Sequence, residues 1–499
     1  MLKLNFLKTL GLVTFTSLSL TTLAHDGEEA SLDQLISQQQ SYQAHSNISK
    51  LALPAIDWKT QNLGNFNPQA YLPNAMVGLY AVDLTTNKVI LSYNAQANFK
   101  PASTNKVITA LLTASKFDYN QTLETRAFIK VLSNGEVDLT LEFTGDPSFN
   151  SQSVNTIVNN LLQRGVKRIR NLVLNLGKYT GHDRPQGWVW NGNSMCYSSE
   201  NTVAQFNYNC IAGTLKTDGT LGTIAPMQNY ANSREIKITS QVKIVSPSQA
   251  QDCELNYINA QGTSFTLDGC VAQNKQGIWM YFAVPNGNQF TAQVIRNALA
   301  SKKITVGKMS YSTQLLGNKT VPSFTIKSLP IGSLIENMLS RSENHIAEQL
   351  YRNLAFVQTS QPVSYTLANR VNRDLLRSLG IGVDPTIYDG SGLSYYNNAT
   401  PLEMTKIVTA IYTNNQALGN LWQLFPQQDQ GTLQHKKAFQ IYQIQGKTGS
   451  LNGVTNFTGI ITTSKGKKIA FTYFINNSND NKAQIEAFES KLLAYLNAQ

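Results

Sequence analysis

Apolar and polar positions follow two rhythms along this chain, and the change from one to the other marks its elements. In "AMVGLYAVDLTTNKVILSYN", residues 75–94, two apolar runs flank a Thr-Thr-Asn turn, which predicts an antiparallel hairpin. Immediately afterwards "KPASTNKVITALL" takes up helical spacing. Pro101 suits a helix start, and Val107, Ile108, Leu111 and Leu112 make one packed face. Near the far end, "VTNFTGIITT" and "KKIAFTYFINN" predict two more strands, followed by a helix with Ile485, Phe488, Leu492 and Tyr495 on one side. The two ends of the chain thus predict a single α/β (α+β) sandwich with an antiparallel sheet.

Between them the rhythm changes. From 128 to 320, strand-like pieces such as "LVLNLG", "EIKITSQVKIV" and "SFTLDG" alternate with Gly/Asn/Ser turns, which predicts β-rich domains inserted into the outer one. Helical periodicity returns over Leu334–Ala355 and Tyr365–Leu379. Residues 25–74 are polar, Gln-rich around "SQQQSYQ", and predict a leader wrapping the first domain. No internal repeat is visible.

The first 24 residues have their own pattern. Lys3 and Lys8 precede a short apolar run from Leu10 to Leu20, and Thr22-Leu23-Ala24 ends it with small residues. That predicts a secretory signal peptide cleaved near Ala24. The run is too short to span a bilayer, and no later segment reaches about 18 apolar residues, so no transmembrane segment is expected and membrane contact would be peripheral. Export also changes the meaning of the four cysteines, 196, 210, 253 and 270. In an oxidising compartment they predict two disulfides with three connectivities open. The sequence-local pairing, Cys196–Cys210 and Cys253–Cys270, is favoured; each would close a loop of roughly 15 residues, for about 3 kcal/mol. The formal charge of +11 falls to +9 once Lys3 and Lys8 leave. Its basic residues are scattered without aromatic interleaving, which argues against nucleic acid and leaves an anionic envelope polymer or a plain solvated surface.

Candidate chemistry lies at three places. Ser103 and Lys106 stand three apart in the first turn of an apolar helix, so their side chains project the same way. The same spacing recurs at Ser240/Lys243 and Ser464/Lys467, so alone it means little. Two later partners lift the first copy above the others: Ser342 and Asn344 in "SRSENHIAEQL", at a break between helices, and "QGKTGSLNG", where Lys447, Thr448, Gly449 and Ser450 lead into a strand. A serine hydroxyl needs a base within hydrogen-bond reach. Lys106 can serve only after losing its proton, a shift of over three units from ~10.4, or about 5 kcal/mol. Burial and the positive charge of Lys447 would supply it. Lys447 is expected to stay protonated and, with Thr448, to hold a carboxylate; Ser342 would relay a proton, Asn344 would hold a peptide group, and Gly449 would let the backbone approach. The backbone N–H groups of Ser103 and Ser450 would face an oxyanion. The five histidines show no ligand spacing, so neither metal nor cofactor is expected.

With these boxes, together with "PASTNK", "TGDPSFN", "DGSGLS" at 389–394 and "KTGSLNGVTNFTGII", the chain resembles the class C low-molecular-mass penicillin-binding proteins, the D-alanyl-D-alanine carboxypeptidase/endopeptidase family of the penicillin-binding protein 4 type. The resemblance covers roughly residues 75–497. It implies a transpeptidase-like catalytic domain over 25–127 and 321–499, an inserted domain II over 128–145 and 223–320, and a nested domain III over 146–222. It also implies peptidoglycan stem peptides as substrates and acylation of Ser103 by β-lactam antibiotics. Two positions depart from the family's pattern: Gly192 in "WVWNGN" replaces an acidic residue, and Tyr395 in "DGSGLSY" replaces an arginine. In relatives those charges are associated with the side-chain end of the stem peptide's diamino acid, so a neutralised or reshaped subsite is expected. A serine β-lactamase would need a dedicated deacylating base, and no convincing Glu-x-x-Leu-Asn box is present. A non-catalytic peptidoglycan-binding protein of the same fold should have lost some of Ser103, Lys106, Ser342, Asn344 and Lys447.

Overall fold

The computed structural model describes residues 48–62, 64–228, 237–259, 264–316, 320–479 and 481–499. The expected signal peptide and the first part of the leader lie outside them. The chain forms two compact units, one built on Ile211–Phe282, the other on Gln43–Cys210 with Ala283–Gln499.

In the larger unit both ends of the chain meet in one five-stranded antiparallel sheet, in the order Gln443–Leu451, Val454–Thr462, Lys468–Asn476, Met76–Asp83, Lys88–Tyr93. Met76 stands opposite Asn476 and Asp83 opposite Ile469, so the two predicted hairpins close side by side. Lys468–Asn476 lies at the centre and is buried on both faces, which is why it reads as an almost unbroken apolar run. Neighbours on it serve opposite layers. Tyr473 packs with Phe488 and Leu492 of the closing helix Lys482–Asn497, while the Thr472 hydroxyl meets Thr405 of the helix Pro401–Thr413 at 3.0 Å.

Behind that second layer sits the helix Lys106–Ala114, buried along its whole length and preceded by a 3-10 turn, Ala102–Asn105. It touches the helices Ile331–Ser340, Asn344–Thr359, Tyr365–Ser378 and Pro401–Thr413. The break predicted between the first two of these falls at Arg341–Glu343, with Ser342 in the left-handed region at φ 61°. Residues 48–62 and 64–74 pack on this unit: Leu51 N–H bonds to Leu379 O, and Phe66 and Leu72 enter the core.

The middle of the chain differs in detail from expectation. A second five-stranded sheet has the order Thr305–Ser312, Arg168–Asn175, Val137–Glu142, Glu124–Val131, Phe324–Lys327. Its first three strands are parallel and the last two join antiparallel. Two helices absent from the β-rich expectation, Ser151–Gln163 and Gly287–Ser301, lead into Arg168–Asn175 and Thr305–Ser312. This sheet crosses the boundaries drawn at 127, 145 and 320: Arg168–Asn175, assigned to a nested segment 146–222, pairs on both sides with strands outside that segment. The segment that separates is instead Ile211–Phe282. Parallel partners joined by long crossovers leave no local signal of who pairs with whom.

In the smaller unit, Ser264–Ala272 pairs antiparallel with Leu255–Asn259 and parallel with Lys237–Ser240 and Lys243–Val245. Val242, Ile244, Phe265 and Leu267 give it a core of its own. The disulfides are Cys196–Cys210 in the larger unit and Cys253–Cys270 in the smaller, the local pairing. No helix among the described residues is long and apolar enough to cross a membrane.

Candidate active site

Residues from four separate elements converge on Ser103. The 3-10 turn places Ser103 ahead of the helix so that Lys106, the first helical residue, points back toward it; the Lys106 ammonium donates to Ser103 Oγ at 2.9 Å. Two further acceptors hold the same nitrogen: Asn344 Oδ1 at 2.7 Å and the Ser391 carbonyl at 2.8 Å. Lys106 has no exposed surface. Asn344, the first residue of its helix, donates its amide N–H to the Tyr197 carbonyl at 2.7 Å.

Lys447 approaches from the edge strand Gln443–Leu451. Its Nζ donates to Ser342 Oγ and to its neighbour's carbonyl, Thr448 O, each at 3.0 Å. The Thr448 hydroxyl lies 2.7 Å from that of Thr432. Gly449 explains how strand and turn come so close: a Cβ there would stand 2.7 Å from Pro101 O and 3.0 Å from Thr104 N, closer than side chains pack. Of the other two Ser-x-x-Lys copies, Ser240 ends one strand and Lys243 begins the next, and Ser464/Lys467 fall in the turn between Val454–Thr462 and Lys468–Asn476, so neither opens a buried helix.

Electrostatics refine the expected picture. Burial pushes the Lys106 amine down to about 8, while the carboxylates of Asp389, Glu348 and Glu343 pull the other way. Lys447, expected to keep its proton, is instead pushed well below its ordinary value, by burial first and by the Lys106 charge second. Two ammonium groups in one dry site cannot both be held cheaply, and among the described residues no carboxylate pairs with Lys447 to offset the cost. Ser342, expected to relay a proton from Lys106, hydrogen-bonds to Lys447 here.

Sequence reasoning passed over the residues behind this first layer. Glu348 and Asp389 are both fully buried. Asp389 Oδ1 accepts from Gly392 N–H and the Asn397 amide, and its Oδ2 accepts from Ser394 N–H and the Trp188 indole. Glu348 binds the backbone N–H groups of Gly390 and Ser391. A usable signal existed: Asn344, Glu348 and Arg352 recur every fourth residue on the helix Asn344–Thr359, a polar stripe that is turned inward. His345 beside Asn344 is buried, bonds to the Cys196 carbonyl at 2.7 Å, and is pushed down to about 4 by burial. Of the two departures, Gly192 ends a short turn whose Cβ position lies 3.1 Å from the Tyr197 hydroxyl. Tyr395 is half-buried and bonds through its N–H to Gly187 O; the Tyr197 phenol is raised by burial first and by the neighbouring Tyr395 phenol second.

A buried lysine against a serine hydroxyl, a Ser-x-Asn turn and a Lys-Thr-Gly edge strand around one point define a serine acyl-transfer hydrolase of the penicillin-recognising class. The chain belongs to the D-Ala-D-Ala carboxypeptidase 3 (S13) family, whose sequence model it matches over residues 59–495. It is a serine-type D-alanyl-D-alanine carboxypeptidase. It is 29% identical over 443 residues to the D-alanyl-D-alanine carboxypeptidase DacB of Haemophilus influenzae, an alignment that spans 83% of this chain and 90% of that one. The crystal structure of penicillin binding protein 4 from the same organism superposes with a TM-score of 0.81 at 28% identity, over 86% of this chain and 98% of the other. Its complex with a β-lactam superposes with a TM-score of 0.76 at 26% identity, over the same shares.

Proposed function

We propose that the enzyme cleaves the terminal D-Ala-D-Ala bond of peptidoglycan stem peptides through an acyl-enzyme on Ser103, and resolves stem-peptide cross-links by the same chemistry. Ser103 Oγ attacks the carbonyl carbon of the penultimate D-alanine, and its proton passes to the free amine of Lys106. The backbone N–H groups of Ser103 and Ser450 receive the oxyanion. As the C–N bond breaks, Lys106 returns the proton through the Ser342 hydroxyl to the leaving amine, and water then hydrolyses the ester. Lys447 and Thr448 hold the terminal carboxylate of the substrate, Asn344 its peptide group.

The observation that carries this reading is the 2.9 Å contact between the Ser103 hydroxyl and a lysine with no exposed surface. The depressed Lys447 fits as well. An arriving carboxylate supplies the missing counter-charge, so the proton settles on Lys447 and its repulsion leaves Lys106 as the free base. Penicillins enter the same path because their ring carboxylate occupies the same anchor. The expected signal sequence and the net positive charge support a periplasmic enzyme bound to its polymer, with at most peripheral membrane contact.

Product analysis on purified cross-linked peptidoglycan tests the whole scheme. Free D-alanine and resolved dimers should both appear, and Ser103→Ala should abolish both; undiminished turnover in that variant, or labelled penicillin on another residue, ends the proposal. At the subsite, Gly192 beside Tyr197 and the uncharged Tyr395 favour a weakened preference for a charged diamino-acid end. Equal hydrolysis of D-Ala-D-Ala substrates with and without that end is expected, and a strong preference for the charged one overturns this part.

A further inference from the structure

Glu348 lies one helical turn beyond Asn344, on the side of the helix that faces Lys106. Its carboxyl does not touch the lysine. Oε1 accepts the Ser391 N–H at 2.8 Å and Oε2 the Gly390 N–H at 3.3 Å. The carbonyls of the same loop turn the other way, into the helix of Ser103: Asp389 O accepts from the Asn105 amide at 2.9 Å, Gly390 O from the Thr109 hydroxyl at 2.7 Å, and Ser391 O from the Lys106 ammonium at 2.8 Å. Gly390 and Ser391 are thus gripped from both sides, and one clamp runs from Glu348 through the Ser391 residue to the nitrogen of the base. Close packing leaves the loop no slack, since a Cβ on Gly390 would strike Ala347 O at 2.5 Å.

Glu348 is fully buried next to Asp389, whose two oxygens already serve four donors. Neither carboxyl forms an ion pair among the described residues. Other groups facing Glu348 are the amine of Lys106 on the helix Lys106–Ala114, Tyr179, Tyr365 on the helix Tyr365–Ser378, and Tyr351 on its own helix. Arg352, the next turn along, spends its guanidinium on Asp183 and three backbone carbonyls. Burial first and the Asp389 charge second push the Glu348 carboxyl up, while the hydrogen bonds from Gly390 and Ser391 pull it down.

We propose that Glu348 is a positioning residue for the Lys106 base: through the Gly390 and Ser391 N–H groups it clamps the peptide whose Ser391 carbonyl holds the amine, and it acts chiefly through that geometry rather than through its charge. The inference rests on the Ser103 acylation reading above. A wild-type enzyme that failed to label at Ser103 would overturn that reading, whereas the variants below bear on Glu348 alone.

The test is the rate of acylation by a fluorescent penicillin between pH 5.5 and 9, resolved into non-covalent affinity and the first-order acylation step, for the wild type, Glu348→Gln and Glu348→Ala. Glutamine keeps the shape and an acceptor for Ser391 but cannot ionise. It should acylate within about threefold of the wild type, with the acid limb of the profile at the same midpoint. Alanine removes the clamp, and a misplacement near 1 Å slows the first-order step by about 100-fold while affinity for the penicillin stays unchanged. Three results overturn the proposal: Glu348→Gln as slow as Glu348→Ala, an acid limb displaced in Glu348→Gln by more than about one pH unit, or Glu348→Ala acylating at the wild-type rate. If Glu348→Ala does not fold, Glu348→Gln decides by the first-order rate and the midpoint alone.

Discussion

Lys106 has to be held firmly by three acceptors and still give up a proton near neutral pH. Those demands conflict in water, where three good acceptors favour the ammonium. In this protein the conflict is resolved by full burial, which moves the amine to about 8 against the pull of three carboxylates. The free base is the form present above that value, so acylation should rise with pH through it and level off beyond; below it the rate should fall about tenfold per unit. Lys106→Arg keeps the charge and most donors but cannot deprotonate. Stopped-flow acylation should drop about a thousandfold in that variant, and raising the pH should not restore it. His345, three residues after Lys447's partner Ser342, carries a stability signature instead. Its folded value of about 4 lies below the ordinary 6.5. Between those pH values the unfolded chain binds a proton that the folded one refuses, so stability falls as pH falls across the window, by about 3 kcal/mol in all. His345→Gln should lose that slope, visible in denaturant unfolding curves at pH 4 and 7.

At the scale of elements, the site exists because an edge strand and a 3-10 turn approach more closely than any side chain allows. Gly449→Ala puts a Cβ against Pro101 O and Thr104 N. Either the strand or the turn must yield, at roughly 1–3 kcal/mol of stability, and acylation should slow roughly 10- to 100-fold. Thermal melts and penicillin labelling of one preparation check both. Elements of this kind were also the legible ones. The hairpins, the closing helix and the break at Ser342 follow from local periodicity and turn residues, and the three boxes marked the groups around Ser103 by spacing and order. Ser151–Gln163 was missed although Val154, Ile157, Val158 and Leu161 repeat at helical spacing behind an Asn150 capping box; six Asn, Gln and Thr residues diluted the apolar signal. Pairing of Arg168–Asn175 with Thr305–Ser312 joins residues over a hundred positions apart and leaves no trace in either strand. Glu348 and Asp389 escaped for another reason. A carboxylate reads as surface until the burial that gives it meaning is known.

For the molecule as a whole, the larger unit holds every residue assigned to catalysis, and its chain leaves and returns at one place. Asn209 O accepts the Val284 N–H at 2.8 Å, so the ends flanking the smaller unit are already hydrogen-bonded neighbours. The smaller unit has its own buried residues, its own sheets and the Cys253–Cys270 disulfide, the features of a segment that folds on its own contacts. Loop closure across a gap already spanned costs little, because the entropy of a short turn changes slowly with its length. Replacing residues 211–282 by a short Gly/Asn turn, with Cys196–Cys210 intact, should therefore give a folded enzyme that a fluorescent penicillin labels at Ser103 within about threefold of the wild-type rate. That margin corresponds to about 0.65 kcal/mol in the barrier. Folding would be checked by a cooperative melt and the disulfide by mass spectrometry. A well-folded variant that no longer labels would mean that Ile211–Phe282 takes part in acylation, and the assignment of the whole catalytic apparatus to the larger unit would fail.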